Sequence, residues 1–387
     1  MIYLDNSATT RMDPEVVQVM TDVMRNIYGN PSSLHGLGGK AERLVTQARQ
    51  ALARTLDVSP SSLVFTSGGT ESNNLAIKGA ALQFRNRGRH LITTQVEHAS
   101  VYQVMKQLEQ EGWNVTYLPV DSQGRVDPQA VEDAVTEETV LVSIMHVNNE
   151  TGTIQPIRQI GERLRRFPKV LFHVDAVQAF GKVEVRPRQW GIDLMTLSAH
   201  KFHGPKGAGV LVIREGIRLT PLLVGGGQEE GFRSGTQNVP GIVGLAKAAV
   251  LADQRRREIG PRWAEWKEAW LKHASETLPG MRVNGDVSRE GGAPHLFSLS
   301  FPGLKSEVIV HALEEEGVIV SSKSACSSKG EKPSRILKAM GLRDEEAIGS
   351  IRVSMGLMTV KNETERALEA LKRVIPRLQR VMKVHES

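Results

Sequence analysis

A lysine follows a predicted buried strand midway along the chain, where its amine could face a ligand. The apolar run 193–197 predicts the strand, and the segment 198–201 (Ser-Ala-His-Lys) follows it directly, before a glycine-rich turn. A lysine amine that is removed from water is partly deprotonated and can form a Schiff base with an aldehyde. Because a single lysine at a strand end is more often a solvated surface charge, the interpretation of Lys201 depends on its neighbours.

Two upstream groups supply what pyridoxal 5'-phosphate needs besides a lysine. An apolar run ends at Asp175, whose carboxylate can pair with a protonated pyridine nitrogen, and Gln178 could donate to the ring hydroxyl. The glycine-rich stretch 66–73 joins a strand to a helix, where free amides and the helix dipole favour a phosphate. Each group alone could be a simple cap. All three in this order predict a pyridoxal phosphate site.

Composition limits the class of protein. The 387 residues have a net charge of +6, 24% charged and 40% hydrophobic residues, which is typical of a globular protein of two or three domains. With 5% aromatics and no binding motif, direct nucleic-acid binding is not expected, although an acidic protein partner stays open. The single cysteine excludes an internal disulfide and a cysteine metal site. We therefore expect a cytoplasmic protein without signal segment or membrane span.

Strand and helix patterns alternate between residues 63 and 213, which predicts a mostly parallel sheet with helices on both faces. Ligands bind such sheets at the carboxyl ends of the strands. Six polar residues come just after predicted strands: Thr70, His98, Asn149, Asp175, Gln178 and Lys201. Their shared placement predicts that they meet in one site.

A second pattern follows about 40 residues of predicted helix. Strand-like runs at 297–301, 318–320 and 350–354, with helical segments between and after them, predict a smaller α+β domain. We expect a large cofactor-binding domain at 13–255. Residues 1–12 and 256–387 would form the small domain, which carries the cysteine and an arginine for the substrate carboxylate.

The single thiol, Cys326, lies in the polar segment 321–328, in which five of eight residues are serine. Lys323 and Lys329 would help to hold a thiolate. A lone cysteine is commonly a buried structural residue, but polar surroundings favour a nucleophile here. Arg352, flanked by apolar residues on a predicted strand, needs an anion, and an amino-acid carboxylate is favoured over an internal glutamate.

These motifs together resemble those of the cysteine desulfurases of the NifS/IscS type. That family has the class V aminotransferase fold (fold type I) of pyridoxal-phosphate-dependent transferases. The similarity covers nearly the whole chain and includes the segments 3–10, 29–33, 66–74, 97–98, 146–150, 173–178, 198–201, 233–236 and 324–326, and Arg352. It implies an α/β enzyme with a large mostly parallel sheet domain and a smaller α+β domain.

The resemblance also implies residue roles. Lys201 would hold the cofactor and then act on the Cα proton, Asp175 would pair with the pyridine nitrogen, and His98 would stack on the ring and transfer protons. Gln178 and Asn149 would contact the ring oxygen or the substrate. The phosphate would be bound by Gly69, Thr70, Ser198 and His200, and Thr236 would reach the phosphate in the partner subunit. The substrate carboxylate would be bound by Arg352 and Asn30.

The resemblance further implies that Cys326 attacks the sulfur of L-cysteine, carries it as a persulfide and releases alanine. A homodimer is expected, with delivery to an iron-sulfur scaffold, a tRNA thiolation enzyme or cofactor synthesis. Lys323 departs from the family, which usually has glycine three residues before the nucleophile, so the path of this segment and its acceptor stay open.

Two other functions are compatible with parts of this pattern. A selenocysteine lyase or an aminotransferase of the same fold explains the Ser-Ala-Cys segment less well. A catalytically idle scaffold would have no physical need for Lys201, Asp175 and Cys326 together.

Overall fold

The computed structural model describes residues 1–322 and 333–385, with side chains described as far as Val381. Cys326, Lys323 and Lys329 lie outside the described residues. What the sequence predicts for them therefore stays a prediction.

A seven-stranded sheet forms the centre of the larger part of the molecule. All seven strands were predicted within two residues at each end, and six of them form continuous runs that are buried on both faces. After a short β1 (Ile2–Tyr3), the sheet strands are β2 (Leu63–Thr66), β3 (His90–Thr94), β4 (Asn114–Leu118), β5 (Thr139–Met145), β6 (Leu171–Asp175), β7 (Leu194–Ser198) and β8 (Gly209–Ile213). Their spatial order is β2-β8-β7-β6-β5-β3-β4.

The sheet is mostly parallel, as predicted. Strand β8 is antiparallel to both its neighbours, and the remaining pairs are parallel. Alternate strand residues point into two separate cores, one on each face. Helices cover both faces: α1 (Pro14–Asn26), α2 (Gly36–Leu56), α3 (Gly69–Phe84), α4 (Ala99–Gln110), α5 (Pro128–Asp133), α6 (Ile157–Leu164) and α7 (Val239–Thr277).

A second group of elements packs around its own core. A three-stranded antiparallel sheet has the order β12-β10-β9, formed by β9 (Arg282–Asn284), β10 (Leu296–Ser300) and β12 (Ser350–Ser354). Strand β1 pairs in parallel with β11 (Val318–Ile319). Helices α8 (Ser306–Glu315) and α11 (Lys361–His385) pack on this core, whereas α9 (Arg335–Ala339) and α10 (Asp344–Ile348) pack in a separate small cluster that includes Val96.

Helix α7 is continuous over 39 residues, with Pro261 inside it. Its first half packs into the core beneath the large sheet, and its second half, with Trp263 and Trp270, packs into the smaller core. The predicted domain boundary at 255 and 256 falls inside this helix, and it stays a prediction. In the described residues no helix is both long and apolar enough to cross a membrane.

Candidate active site

A cavity of about 530 Å³ opens at the carboxyl ends of the parallel strands. Most of the residues predicted for the site line it: Gly69, Thr70, His98, Asn149, Asp175, Gln178, Ser198, His200, Lys201 and Arg352. Asn30 and Thr236 are exposed and do not line it. Residues far apart in the sequence therefore meet where an α/β sheet commonly binds its ligand.

Lys201 lies in a single helical turn directly after β7. Its Nζ donates hydrogen bonds to the backbone carbonyls of Ser7, at 2.7 Å, and Ala8, at 2.9 Å. The amine is therefore held by the N-terminal segment, which is more than 190 residues away in the sequence. Sequence reasoning missed these partners, because a backbone carbonyl has no side-chain signature.

Asp175 is the last residue of β6 and is 5% exposed. Its Oδ1 accepts from the Val177 amide at 3.0 Å, and its Oδ2 accepts from Asn73 Nδ2 at 2.9 Å. Two donors stabilise the charged form of a carboxylate and fix its direction. Asn73, on α3, was not singled out from the sequence.

His98 is connected to Asp175 through two other side chains. Asn73 Nδ2 also donates to Ser100 Oγ at 2.8 Å, and Ser100 Oγ lies 2.8 Å from His98 Nδ1. The Ser100 amide, which can only donate, also points at His98 Nδ1, at 3.2 Å. His98 Nδ1 is therefore the acceptor, and the neutral ring carries its proton on Nε2.

Burial lowers the pKa of His98, although the charge of Asp175 opposes the shift. The ring is therefore neutral near pH 7, with Nε2–H as its donor. His200 is neutral as well, because burial and the charges of Lys201 and Lys206 lower its pKa to about 4. Lys206, which is exposed and lines the cavity, was not predicted from the sequence.

Helix α3 begins at Gly69, directly beneath the cavity. Its N-cap residue, Gly68, offers no side chain to the amides of the first turn. A Cβ at Gly69 would lie 3.0 Å from Val177 Cγ2, and one at Gly209 would lie 2.6 Å from Gly68 Cα. Only glycine allows this close approach, which leaves the helix N-terminus open to an anion.

Arg352 lies on β12 and is 2% exposed. Its Nη1 donates to the Asn149 carbonyl at 2.7 Å, and its Nη2 donates to Asp5 Oδ1 at 2.9 Å. For Arg352, the sequence favours a substrate carboxylate over an internal salt bridge with a glutamate. The structure has an internal salt bridge, to an aspartate and not a glutamate, and leaves Nε without a partner. Binding of a substrate carboxylate stays a prediction.

Four of the nine unpartnered buried side-chain atoms in the described residues belong to residues that line the cavity. Ser7 Oγ, Asn73 Oδ1, Asn149 Oδ1 and Arg352 Nε have no hydrogen-bond partner among the described residues. Such atoms are rare in native proteins and commonly indicate a ligand or ordered water. A lysine, an oriented carboxylate and an open helix N-terminus lie around them, and this donor set fits pyridoxal phosphate.

Both ends of the segment 323–332, which contains Cys326, are attached beside site residues. On the N-terminal side, Ser321 exchanges two backbone hydrogen bonds with Arg352, at 2.7 and 3.2 Å. On the C-terminal side, Ser334 Oγ donates to Glu150, the neighbour of Asn149.

The next residue, Arg335, strengthens the C-terminal attachment. Its guanidinium donates to the carbonyls of Gln95 and Glu97, directly before His98, and lies 3.9 Å from the centre of the Tyr102 ring. Arg335 therefore ties helix α9 to the loop that carries His98.

Comparison with known proteins agrees with this geometry. The family model described as aminotransferase class V matches residues 2–367. The chain belongs to this family. It is 44% identical over 384 residues to a cysteine desulfurase of Nostoc sp., which covers 98% of this chain and 94% of that protein.

Two further class V aminotransferases narrow the assignment. The cysteine desulfurase IscS of Dictyoglomus turgidum is 40% identical over 380 residues, covering 98% of this chain and 96% of that protein. A solved structure titled as a NifS-like protein has a TM-score of 0.91 and 39% identity, covering 97% of this chain and 100% of that chain. The predicted fold class and the NifS/IscS resemblance are confirmed.

Proposed function

We propose that this class V aminotransferase is a pyridoxal-phosphate-dependent cysteine desulfurase. It converts L-cysteine to L-alanine and passes the sulfur to Cys326 as a persulfide. The observation that carries the proposal is the convergence of Lys201, the oriented Asp175 carboxylate and the open N-terminus of α3 in one cavity. The names of the relatives support the reaction.

Pyridoxal phosphate, when bound, supplies an electron sink that stabilises negative charge at the substrate Cα. Lys201 provides the amine that holds the cofactor and then moves the proton at Cα. Asp175, fixed by Asn73 and the Val177 amide, would pair with the ring nitrogen. The cofactor phosphate would be bound by the first turn of α3 with Gly69 and Thr70, and by Ser198 and His200.

His98 contributes a proton donor at Nε2, because Ser100 occupies Nδ1. Asn149 and Gln178 would contact the ring oxygen or the substrate, and Arg352 with Asn30 would bind the substrate carboxylate. For Arg352, the unpartnered Nε supports this role.

In the sulfur transfer, the Cys326 thiolate attacks the substrate sulfur. A sulfur–sulfur bond forms, the substrate Cβ–Sγ bond breaks, and its electron pair stays on Cβ, which takes up a proton to become the methyl group of alanine. Sulfur is oxidised while carbon is reduced, so this step needs no other redox partner. An iron-sulfur scaffold or a thiolation enzyme would then accept the sulfur, in the cytoplasm.

A homodimer completes the proposal. Asn30 and Thr236 lie outside the cavity of their own chain, in segments with exposed apolar side chains. Tyr28 is 76% exposed and Val224 is 79% exposed. A second copy that covers these segments would bury them and could bring Thr236 to the partner's phosphate.

The protein loaded with pyridoxal phosphate is expected to produce alanine and sulfide in equal amounts from L-cysteine and a thiol reductant. In Cys326→Ala the yield of both products should fall by about 100-fold or more, because the attacking thiolate is gone. L-cysteine should still change the absorption spectrum of the bound cofactor.

Cys326→Ser is the matched control, since it keeps the size and polarity of the side chain but not the thiol. We expect it to be as inactive as the alanine variant. Sulfide release by either variant at the wild-type rate would remove Cys326 from the mechanism. A wild-type protein that binds the cofactor but makes neither product would contradict the proposed function.

Asp5→Asn is expected to lower the KM for L-cysteine. The substitution removes the charge that competes with a substrate carboxylate for Arg352, while the asparagine oxygen can still accept from Nη2. The weakened buried pair should also lower the free energy of unfolding by about 1–3 kcal/mol. Steady-state kinetics and thermal unfolding measure the two effects.

Asp286→Asn serves as the control for Asp5→Asn. Asp286 pairs with Arg125 at 2.9 Å, away from the cavity, so its substitution should lower stability without changing KM. An unchanged or higher KM in Asp5→Asn would show that Asp5 does not compete for Arg352.

A further inference from the structure

A second lysine, Lys182, is buried behind Lys201. It lies in the turn after β6 and is 7% exposed. The one hydrogen bond that the structure gives its ammonium group is to Gln178 Oε1, at 3.3 Å. Because an ammonium group can only donate, the oxygen of the Gln178 amide must face Lys182.

The two lysines are connected through this amide. Gln178 Nε2, on the other side of the amide, donates to the Ser7 carbonyl at 2.8 Å. The same carbonyl accepts from Lys201 Nζ at 2.7 Å. Lys182 and Lys201 also line one small pocket of about 10 Å³, together with Trp263, whose Nε1 has no partner among the described residues.

The surroundings of Lys182 offer no counter-charge. No carboxylate in the described part of the chain forms an ion pair with it. The charged or titratable groups that face it are Lys201, Arg352, the half-buried His200 and the buried histidines His203 and His295. Burial, helped by the charges of Lys201 and Arg352, lowers the pKa of Lys182 to about 7.

We propose that Lys182 is a positioning residue for Lys201. Its buried positive charge disfavours protonation of the Lys201 amine, and its hydrogen bond fixes the Gln178 side chain. Electrostatic coupling between two titrating groups is reciprocal. Each charged amine therefore disfavours protonation of the other by the same free energy. Below about pH 7, Lys182 keeps its proton, and Lys201 is then more often neutral and reactive than it would be alone. Above that pH, Lys182 loses its charge and the effect disappears.

This inference rests on the proposed function, which gives the Lys201 amine its chemical role. The test therefore uses the cofactor-free protein and does not require desulfurase activity. Lys182→Met keeps the shape of the side chain and removes the charge. Lys267→Met is the matched control, because Lys267 is also buried, at 2% exposure, but bonds to the Ala293 carbonyl and faces Asp286.

The rate at which Lys201 reacts with an amine-acylating reagent would be measured by mass spectrometry at about pH 6.5 and about pH 9. We expect Lys182→Met to slow the reaction of Lys201 about 10-fold at the lower pH, which corresponds to a change of about one unit in the pKa of the Lys201 amine. At the higher pH the rate should be unchanged. In Lys267→Met, the reaction rate of Lys201 should match that of the wild type at both pH values. In the loaded protein, Lys182→Met should also shift the pH at which the bound cofactor changes its absorption.

Stability separates this role from a merely structural one. Removing an unpaired buried charge is commonly neutral or stabilising, so Lys182→Met should unfold at the wild-type temperature or above it.

Lys182→Arg keeps the charge and should retain the reactivity of Lys201 at low pH. Should the methionine variant not fold, Lys182→Gln replaces it. The proposal would be overturned if Lys201 reacted at the same rate at low pH in the wild type and in the uncharged Lys182 variant. It would also be overturned if Lys267→Met slowed the reaction as much as the Lys182 variant does. A wild-type protein that makes no alanine would contradict the proposed function alone.

Discussion

Lys201→Ala should bind pyridoxal phosphate without attaching it and should form alanine from L-cysteine at least about 1,000-fold more slowly than the wild type. The reason is that one amine both holds the cofactor and moves the Cα proton. Among the described lysines that line the cavity, only Lys201 is fixed by two backbone carbonyls, whereas the other, Lys206, is exposed. Borohydride reduction followed by peptide mass spectrometry should find the cofactor on the segment 198–206 in the wild type only.

Lys201→Arg is the control that separates charge from reactivity. A guanidinium keeps the positive charge and can still donate to the carbonyls of Ser7 and Ala8, but it does not lose a proton near neutral pH. We expect it to be as inactive as the alanine variant. Covalent cofactor in either variant, or alanine formation near the wild-type rate, would rule out Lys201 as the attachment site.

Asp175→Asn is expected to slow alanine formation about 150- to 5,000-fold while the protein still binds the cofactor phosphate. Loss of a buried ion pair to the ring nitrogen costs about 3–5 kcal/mol, which corresponds to this range. In the wild type, Asn73 Nδ2 donates to Asp175 Oδ2. In one orientation of the new asparagine side chain, its NH2 group would face Asn73 Nδ2, and neither group could accept a hydrogen bond from the other. Single-turnover kinetics and the absorption spectrum of the bound cofactor would measure the effect.

Asp193→Asn provides a matched control for Asp175→Asn. Asp193 is similarly buried, at 8% exposure, and accepts from the Phe172 amide and from Arg214, but it lies just before β7, away from the cavity. Its substitution should lower stability and leave the chemistry intact. If both aspartate variants lose activity equally, Asp175 acts only through folding.

The sheet could be predicted from the sequence because its strands are buried on both faces. Apolar runs locate such strands without any knowledge of their partners, and β5, predicted at 139–146, is observed at Thr139–Met145. The two helices before β2 were not predicted. Their buried residues do recur at helical spacing, as Val16 and Val23 do in α1, so the helical pattern of this stretch is present in the sequence.

The site was predictable as far as side chains mark the ends of strands. Asp175 and Lys201 were found because each ends an apolar run. Their partners were not found: Asn73 lies 102 residues before Asp175, and the carbonyl of Ser7 lies 194 residues before Lys201. Such contacts depend on the order of the strands in the folded sheet, which no local pattern encodes.

The backbone pairing of Ser321 with Arg352 sets a geometric limit on the proposed sulfur delivery. Cys326 follows Ser321 by five residues, and an extended chain spans at most about 3.5 Å per residue. The Cys326 Cα can therefore never lie more than about 17 Å from that of Ser321 while β12 stays paired. The proposed persulfide would therefore have to meet its acceptor within this radius. The pairing of Ser321 with Arg352 therefore limits the part of this protein's surface at which an acceptor can receive the sulfur.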